Sequence, residues 1–458
     1  MLPSYEKTIC KVKGKTLLFI CSNKWYPTAP EYVTDNLQNL REHGLYVVAC
    51  FDKTKTDTGN CKYYQGFVDN KAFDEDIHVD FSENVVEKIA EAAKKTGHNF
   101  DGVAGIKESV MQYVGQLQDI LNLEFGNGAA PYQAARDKFK TRLAIKKAGL
   151  NSPKAYGVNS VDDIDAAIER VGFPMIVKPT AGARSEGVYK AFNKEELIKN
   201  VNRIFEELSS NAILTTDGLS LSAPIVAETL LVPIIFHDVV QEFDVDILIN
   251  KKGEMVYGNV IDNWIPDAPY FQDKIFNMPS VTPKNVQKEL IEYSFDCVKA
   301  LGFKTGAFHV ECMYTENGPM LLEVNPRIGG AEIHQNHEKC HGVNLSLNLI
   351  LSFLDIDIAP PFYKEPQMGR LFQMVNCPKT GKLKSNSFME HANDFKFTSK
   401  VEYFKDVDEK VIGLDTGVPD FVGLVSMECT PDQMDEAMEE TQKCEKDIVS
   451  ILKRKIIK

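Results

Sequence analysis

Residues 321–330 read LLEVNPRIGG, an apolar run interrupted by polar side chains and closed by two glycines. Glu323, Asn325 and Arg327 fall on every second position of this run. Because side chains at every second position of a β-strand share one face, these three groups should lie side by side. The stretch therefore predicts a strand that packs in a core and carries an acid, an amide and a base on one face.

The residues just upstream, GAFHVECMYTENGPM (306–320), predict the partner strand of a β-hairpin. If residues 316–318 form a three-residue loop, Glu311 lies directly opposite Glu323. At a separation of ~5 Å and an effective dielectric of ~20, two carboxylates repel by on the order of 3 kcal/mol. A divalent cation relieves this repulsion, and carboxylate and amide oxygens suit Mg²⁺, so we predict Glu311, Glu323 and Asn325 as its ligands. The plainer alternative is an edge strand on which the acids are solvated separately.

Two earlier strands also carry acids. PIVAETLL (224–231) contains Glu228, and QEFDVDILI (241–249) alternates Glu242, Asp244 and Asp246 with apolar residues. Because side chains at every second position of a strand point to the same side, the three acids of the second strand lie on one face. A half-exposed strand is the plainer interpretation of the two aspartates.

A glycine-rich loop between two strands predicts a flap over phosphates. FPMIVKP (173–179) is a strand with Lys178 near its end, TAGARSEGV (180–188) follows, and VYKAF resumes a strand. Exposed backbone N–H groups of such a loop can bind phosphate oxygens. Upstream, AARDKFKTRLAIKKAG (134–149) predicts one basic amphipathic helix, for which a solvated surface is the plainer interpretation.

The N-terminal part of the chain alternates strands and helices. TLLFI (16–20), LYVVACF (45–51) and FDGVAGI (100–106) predict strands of a doubly wound α/β domain with a parallel sheet. A G-x-G-x-x-G motif is absent, which argues against a dinucleotide-binding fold.

Composition excludes several classes of protein. The 458 residues are 43% hydrophobic, enough for a large core. A net charge of −13 argues against nucleic acid as a partner. The ten cysteines are scattered without a C-x-x-C pair, which indicates reduced thiols and a cytoplasmic protein. The N-terminal apolar run is far shorter than the ~20 residues that a membrane helix needs.

Seven motifs in one order resemble those of ATP-grasp enzymes, and within that superfamily the carnosine synthase and L-amino-acid ligase group: RDKFKTRLAIKKAG, MIVKP, GARSEGV, VAETLL, QEFDVDILI, HVEC and LLEVNPRIGG. The resemblance covers nearly the whole chain. It implies an ATP-grasp fold of mixed α/β and α+β class, with a doubly wound parallel-sheet domain over residues 1–130. The ATP-grasp domain would span 131–360, with a small lid subdomain (131–222) and a core (223–360), and 361–458 would form a C-terminal lid or dimer element.

The resemblance also implies roles for individual residues. Those that would bind or cover the ATP phosphates are Lys138, Lys178, Gly182, Ser185 and Gly187. Those that would contact adenine and ribose are Glu228, Leu231 and Glu242. The Mg²⁺ ligands would again be Glu311, Glu323 and Asn325, and Arg327 would stabilise the transferring phosphoryl group. Residues 231–241 lengthen a link that is short in the family.

The implied reaction joins a carboxylate to an amine. The γ-phosphoryl group of ATP would pass to the carboxylate to give an acyl phosphate and ADP, and the amine would then displace phosphate to form an amide. Lys178 and Arg327 would be catalytic. The base that deprotonates the amine is left open among Asp244, Asp246 and His309. Candidate substrate contacts are Asn263 and Trp264, expected in a loop, together with His309, Arg327, Gly329 and Gly330.

Other interpretations stay open. Another ATP-grasp chemistry, such as a biotin- or bicarbonate-dependent carboxylase, and a nucleotide-binding regulator without catalysis are the two alternative functions. His334, His337 and His341 share one helix face, either as a metal site or, as we favour, at the border of the substrate pocket. We expect ATP, Mg²⁺ (or Mn²⁺) and small amino-acid-like substrates as ligands and no nucleic acid or membrane, and we leave a homodimer open.

Overall fold

The computed structural model of the chain describes residues 2–22, 29–56, 61–182, 185–210, 221–266, 271–416 and 419–457. Its N-terminal part is an α/β unit around a parallel sheet. The elements are α1 (Glu6–Ile9), β1 (Thr16–Ile20), α2 (Glu31–Glu42), β2 (Tyr46–Asp52), α3 (Lys53–Thr56), α4 (Lys62–Asp69), β3 (Glu75–Val79), α5 (Val85–Lys95), β4 (Gly102–Ala104) and α6 (Glu108–Ile120). The sheet has four parallel strands in the order β3-β2-β1-β4, which confirms the predicted parallel α/β architecture.

A second unit follows, with a four-stranded antiparallel sheet in the order β5-β8-β6-β7. Its elements are α7 (Ala129–Arg136), α8 (Lys138–Lys147), β5 (Ala155–Val158), α9 (Ile164–Val171), β6 (Met175–Pro179), β7 (Tyr189–Ala191), α10 (Lys194–Ser209) and β8 (Ile225–Thr229). The strands β5 to β8, with helices α9 and α10, enclose a hydrophobic core of their own. The N-terminal sheet and the central sheet, which is described below, contribute to one larger hydrophobic core.

The prediction of one helix over residues 134–149 is wrong. The chain breaks at Asp137, whose backbone is extended (φ −91°, ψ 100°). Its carboxylate accepts hydrogen bonds from the Lys140 N–H (2.8 Å) and from the N–H and hydroxyl of Ser222 (2.7 and 2.9 Å). An aspartate that caps the following helix in this way replaces the intrahelical bonds that a continuous helix would have made.

The central sheet has eight strands in the order β13-β12-β9-β10-β11-β14-β18-β16, and all its neighbouring pairs are antiparallel. The elements up to residue 352 are β9 (Val240–Ile249), β10 (Met255–Trp264), β11 (Ile275–Met278), α11 (Lys284–Ala300), β12 (Gly306–Thr315), β13 (Gly318–Asn325), α12 (Ile333–His341) and α13 (Leu345–Ser352). The elements after it are β14 (Gly369–Asn376), β15 (Gly381–Leu383), β16 (Thr398–Tyr403), β17 (Lys410–Val411), β18 (Phe421–Cys429), α14 (Met434–Lys455) and β19 (Ile456–Ile457).

Three strands of the C-terminal region, β14, β18 and β16, complete the central sheet, because β14 pairs with β11. The small strands β15, β17 and β19 form a separate three-stranded sheet. The lid or dimer role of residues 361–458 stays a prediction. Among the described residues, no helix has both the length and the apolar character needed to cross a membrane.

The β12–β13 hairpin has the predicted pairing of Glu311 with Glu323, but its turn and its register differ from the prediction. Its turn is one residue shorter than predicted, since Thr315 pairs with Gly318, which has a φ of +87°. Further along, Glu311 pairs with Glu323, so the register shifts at Leu322. A β-bulge of this kind inserts one extra residue into a strand. The bulge compensates for the shorter turn, and the two carboxylates face each other as predicted.

Candidate functional site

One face of the central sheet carries polar side chains in two rows across β9, β12 and β13. Residues directly opposite each other on neighbouring strands project to the same face. The register gives the rows Asp244–Glu311–Glu323 and Asp246–His309–Asn325. The Asn325 side-chain amide donates a hydrogen bond to Glu311 Oε1 at 3.0 Å. The structure therefore brings together the three residues predicted to bind metal.

Burial and mutual repulsion disfavour negative charge on several acids of this face. Burial and the charge of Glu323 raise the pKa of Glu311 to about 7. Burial also raises the pKa of Asp244 and Glu242 well above the usual range, and nearby acids add to the effect. Glu323 behaves differently: burial opposes its ionisation, but the ammonium group of Lys138 lowers its pKa. Of the two glutamates predicted to bind metal, Glu311 is therefore the one that more strongly favours a proton or a bound cation.

Lys138, predicted as a phosphate ligand, begins α8 and reaches the metal-site face. Its Nζ lies 2.8 Å from Glu323 Oε1. The two residues are 185 positions apart, and no local pattern predicted the contact. Phosphate binding by Lys138 stays a prediction, and the ion pair shows that its ammonium group lies beside the predicted metal ligands.

Glu228, predicted to contact adenine, is buried between two cations. Its carboxylate accepts hydrogen bonds from Arg142 Nε (2.8 Å) and Nη2 (3.3 Å) and pairs with Lys178. Burial opposes ionisation, but the charges of Arg142 and Lys178 lower the pKa of Glu228 to about 2. Sequence reasoning missed Arg142, although it lies four residues after Lys138 and so on the same face of α8. The carboxylate is held by these cations, and contact with adenine stays a prediction.

Lys178 lies on β6 just before the glycine-rich loop, as predicted. Burial lowers its pKa, and attraction to Glu228 offsets this only in part. A lysine in this state gains from an additional anion, such as a phosphate, that would stabilise its charged form.

The glycine-rich loop is anchored at its first end. The Gly182 carbonyl accepts a hydrogen bond from Arg136 Nη1 at 2.8 Å. Ser185 and Gly187 have φ values of +56° and +71°, in the left-handed region. Residues 183–184 of the predicted flap lie outside the described residues. The backbone here allows a tight turn, and the phosphate-covering role of these residues stays a prediction.

The lengthened link, residues 231–241, forms a tight turn beside the central sheet. Phe236 and Val240 exchange backbone hydrogen bonds (2.9 and 2.8 Å), and His237 and Asp238 between them have positive φ. The link starts at half-buried Leu231 and ends where β9 begins. Glu242, near the start of β9, therefore lies on the same face as Asp244, at the position opposite Met313.

Arg327 lies at the junction of the central sheet and the N-terminal domain. Its Nη2 donates to Asn325 Oδ1 (3.2 Å), and its Nε donates to Glu108 Oε2 (3.2 Å). Glu108 was missed by sequence reasoning, although it opens a helix that follows β4, at the carboxyl edge of a parallel sheet where ligands bind. The guanidinium group thus contacts Asn325, one of the predicted metal ligands, and binding of metal by that residue stays a prediction.

His309 is surrounded by carboxylates. Its Nδ1 lies 3.2 Å from Asp246 Oδ1, and its Nε2 lies 3.8 Å from both Asp244 and Glu311. Burial opposes protonation, but the charges of Asp246 and Asp244 raise the pKa of His309 to about 9. A protonated imidazole cannot take a proton from an amine, so this arrangement disfavours His309 as the base at neutral pH.

The predicted histidine face lies on α12, but its three members have separate partners. His337 Nε2 is 2.9 Å from Asp246 Oδ2, and its Nδ1 is 2.8 Å from the Tyr257 hydroxyl. His341 Nδ1 lies 2.8 Å from the Tyr363 carbonyl. The His334 ring packs against Tyr32 of the N-terminal domain. His334 therefore contacts the N-terminal domain, His337 is joined to the acidic face, and His341 is held by the segment that follows α13.

Asn263 and Trp264 were predicted to lie in a loop, and this is wrong. They are the last two residues of β10, where pairing with β9 continues past a register shift. The Trp264 indole is buried and donates to Asn277 Oδ1 at 2.7 Å, whereas Asn263 Nδ2 donates to Asp273 Oδ1 at 3.1 Å. Trp264 is therefore part of the packing of the sheet, and Asn263 remains beside the acidic face.

The two glycines after Arg327 differ in their surroundings. A Cβ on Gly329 would clash with Ile333 and approach His309 Nδ1 to 3.0 Å, whereas a Cβ on Gly330 would meet open space. The first glycine permits close packing of the loop on the acidic face. The second is exposed, and its contact with substrate stays a prediction.

Comparisons with known proteins agree with this architecture. Residues 171–335 match the ATP-grasp domain family. The alanine–anticapsin ligase of Bacillus subtilis is 29% identical over 272 residues, which cover 58% of this chain and 56% of the relative. Carnosine synthase 1 of Homo sapiens is 24% identical over 288 residues, which cover 60% of this chain and 34% of the relative. The chain thus spans about half or less of the length of these relatives.

A solved structure is similar over almost the whole chain. The L-amino acid ligase from Bacillus licheniformis superposes with a TM-score of 0.68 and 18% identity, covering 97% of this chain and 99% of that one. At this identity the similarity concerns the fold. Together with the family match over residues 171–335, it shows that this chain carries an ATP-grasp domain and has the ATP-grasp fold.

Proposed function

We propose that the chain is an ATP-dependent, ADP-forming ligase that joins the carboxylate of one amino-acid-like substrate to the amine of another through an acyl phosphate. The observation that carries this proposal is the pairing of Glu311 with Glu323, next to Asn325 and Arg327, on one partly buried face. This is a set of oxygen ligands and a cation of the kind that phosphoryl transfer requires. The chain is similar to an alanine–anticapsin ligase and to an L-amino acid ligase, and these names support amino-acid-like substrates.

The donor set fits Mg²⁺. Three oxygen-bearing side chains, Glu311, Glu323 and Asn325, lie on adjacent positions, and the raised pKa of Glu311 indicates a carboxylate that favours a neighbouring positive charge. Because the chain supplies only a few ligands of this type, coordination positions of the metal would remain for phosphate oxygens and water. When bound, the metal would neutralise negative charge on the phosphates, and Mn²⁺ accepts the same oxygen ligands.

The residues of the chain then have distinct tasks. Lys178, at the end of β6, would bind the phosphates together with Lys138, and residues 180–188 would cover them and exclude water from a hydrolysable acyl phosphate. Arg327 would orient the substrate carboxylate and stabilise the charge that develops as the γ-phosphoryl group is transferred. The amine arrives second and attacks the activated carbonyl carbon, so that phosphate leaves and an amide forms.

The test is product analysis with a chemical trap. With a productive pair of amino acids, the protein should release ADP and phosphate. Hydroxylamine should replace the amine and convert the acyl phosphate to a hydroxamate. Arg327→Ala should lower hydroxamate formation by ~100-fold or more, the effect of removing one preorganised charge-stabilising group, while ATP binding persists. Arg203→Ala is the matched control, because Arg203 lies in an exposed pair with Glu207. This variant should leave the rate of hydroxamate formation unchanged.

Each alternative function gives a different result. Formation of AMP and pyrophosphate with every active pair would overturn the proposal. ADP release that requires bicarbonate or biotin instead of an amine would indicate a carboxylase. Nucleotide binding without turnover for any pair would indicate a regulator.

A further inference from the structure

The carboxyl edge of the N-terminal parallel sheet faces Arg327. Between β4 and α6 the chain turns through Lys107 and Glu108, and Glu108 Oε2 accepts the hydrogen bond from Arg327 Nε at 3.2 Å. On the same edge the hydroxyls of Ser22 and Ser109 lie 2.8 Å apart. Ligands of open α/β sheets bind at the carboxyl ends of the strands. This turn is therefore placed to contact a substrate that Arg327 also contacts.

Lys107 brings positive charge to this turn. Its Nζ donates to the Tyr32 hydroxyl at 3.3 Å, and it is the N-cap residue of α6, a helix of 13 residues. A lysine side chain has only donors and cannot cap the helix, so the positive end of the helix dipole adds to the ammonium charge. Burial, with a further effect of the Arg327 charge, lowers the pKa of Lys107 to about 7. The Lys107 side chain and the start of α6 thus lie near the Arg327 guanidinium group, and a bound anion would favour the charged form of Lys107.

An independent observation comes from His334 on the other side of Tyr32. The His334 ring lies 4.7 Å from the Tyr32 ring, centroid to centroid, and only 1% of the residue is exposed. Within the described part of the chain, neither ring nitrogen makes a hydrogen bond, and the Glu338 carboxylate approaches Nε2 only to 3.7 Å. A buried polar group without a hydrogen bond is costly. The His334 ring is therefore a fully buried support against which the Tyr32 ring packs.

We propose that Lys107 and Tyr32, at the start of α6, form a subsite for a second carboxylate on the substrate that Arg327 binds. This inference rests on the proposed function and names its substrate class: an acidic amino acid or similar dicarboxylate. Lys107 is a specificity-determining residue in this arrangement, and His334 supports the Tyr32 wall of the subsite. The carboxylate to be phosphorylated remains at Arg327, and no additional chemical step is required.

The expected preference is measurable because Lys107 and Tyr32 are both half-buried, where water screens charge less than at an open surface. A substrate that lacks the second carboxylate leaves the ammonium group of Lys107 without a counter-charge from the ligand. Sites built to bind a polar group discriminate strongly against analogues that lack it. For a single charge-assisted hydrogen bond we expect about a 10- to 100-fold difference between an acid and its amide.

The test compares glutamate with glutamine, which have the same shape. Their kcat/KM values for ADP release are measured with a panel of neutral amino acids as second substrate. The wild-type chain should prefer glutamate by ~10-fold or more. Lys107→Met keeps the length and apolar stem of the side chain, and the glutamate-to-glutamine ratio should fall to about one. Lys107→Arg should restore most of the preference.

Lys15→Met is the matched control. Lys15 pairs with Asp101 (3.4 Å) beside the start of β1, on the opposite edge of the same sheet. The glutamate preference should be unchanged in this variant. Equal rates for glutamate and glutamine in the wild-type chain, or a Lys107→Met variant that keeps the wild-type ratio, would overturn the subsite.

Calorimetric binding separates failure of the subsite from failure of the proposed ligase function. Glutamate and glutamine are titrated into wild-type protein and Lys107→Met with a non-hydrolysable ATP analogue present. If no pair supports ADP release but glutamate binds more tightly than glutamine and only in the wild type, the ligase function fails and the subsite stands. If ADP release occurs but binding shows no acid preference, the subsite fails and the ligase function stands. Absence of both refutes both.

Discussion

Replacing Glu228 with glutamine should destabilise the protein by several kcal/mol, because the side chain holds two buried cations together. Glutamine keeps the shape of the side chain but removes the charge that pairs with Arg142 and Lys178. A pKa lowered from 4.5 to about 2 corresponds, at ~1.36 kcal/mol per pKa unit, to about 3 kcal/mol of interaction. Breaking a buried pair by removing one partner typically costs ~3–5 kcal/mol. Both estimates thus give a loss of at least about 3 kcal/mol.

The pH dependence follows from the direction of the pKa. Because the pKa of Glu228 is lowered on folding, its stabilising effect is fully present above the unfolded value of 4.5 and is lost as the pH falls towards about 2. At pH 4 the difference between wild type and variant should therefore be smaller than at pH 7 by about 1 kcal/mol. The variant should also weaken ATP binding, since Lys178 loses the carboxylate of Glu228, which favours its charged form.

Urea denaturation at pH 7, followed by circular dichroism, measures the loss, and amide hydrogen exchange of β6 and β8 reports it locally. The control is Asp165→Asn in the same unit. Asp165 pairs with Lys194 at 2.5 Å, but 78% of its side chain is exposed. Such surface pairs contribute less than ~1 kcal/mol. Equal, small losses in the two variants would refute the reasoning.

Two further predictions concern the metal ligands and the flap. Glu311→Gln should leave the stability of the nucleotide-free protein unchanged or higher, because it removes a carboxylate whose ionisation is disfavoured beside Glu323, and should lower Mg²⁺-dependent ADP release by ~100-fold. Thermal unfolding and a turnover assay check both, and near wild-type turnover would contradict the metal assignment. ATP with Mg²⁺ should protect residues 180–188 from proteolysis if they close over phosphates. Cleavage mapped by mass spectrometry at the same rate with and without nucleotide would exclude such closure.

Features that depend on local periodicity could be predicted from the sequence. The alternation of Glu242, Asp244 and Asp246 places them on one face in any extended strand, and the structure has them there. The glycine-rich loop lies between two strands for a similarly local reason. The pairing of Glu311 with Glu323 was predicted through a wrong turn length, since the bulge at Leu322 depends on packing and hydrogen bonds that a two-residue alternation does not encode.

Contacts between distant residues escaped prediction because no spacing rule relates them. Arg142 and Glu228 are 86 positions apart, and Arg327 and Glu108 are 219 apart. Their pairing follows from how whole units pack, and the sequence shows only that each residue is charged. The break at Asp137 was missed for a different reason: Ser222, which helps to hold the aspartate outside the helix, belongs to a remote segment.

The sharing of one sheet between the candidate site and the C-terminal strands has a consequence for biosynthesis. The strands with the predicted metal ligands end at Asn325, yet β11 receives its outer partner only when Gly369–Asn376 has been made, and β18 follows at Phe421–Cys429. During synthesis on the ribosome, the outer edge of β11 therefore stays unpaired until β14 has been made. An open sheet edge of this kind can pair with other chains. Slow translation after residue 325 would prolong this exposure, so the tempo of synthesis should influence how much of the protein reaches its native state.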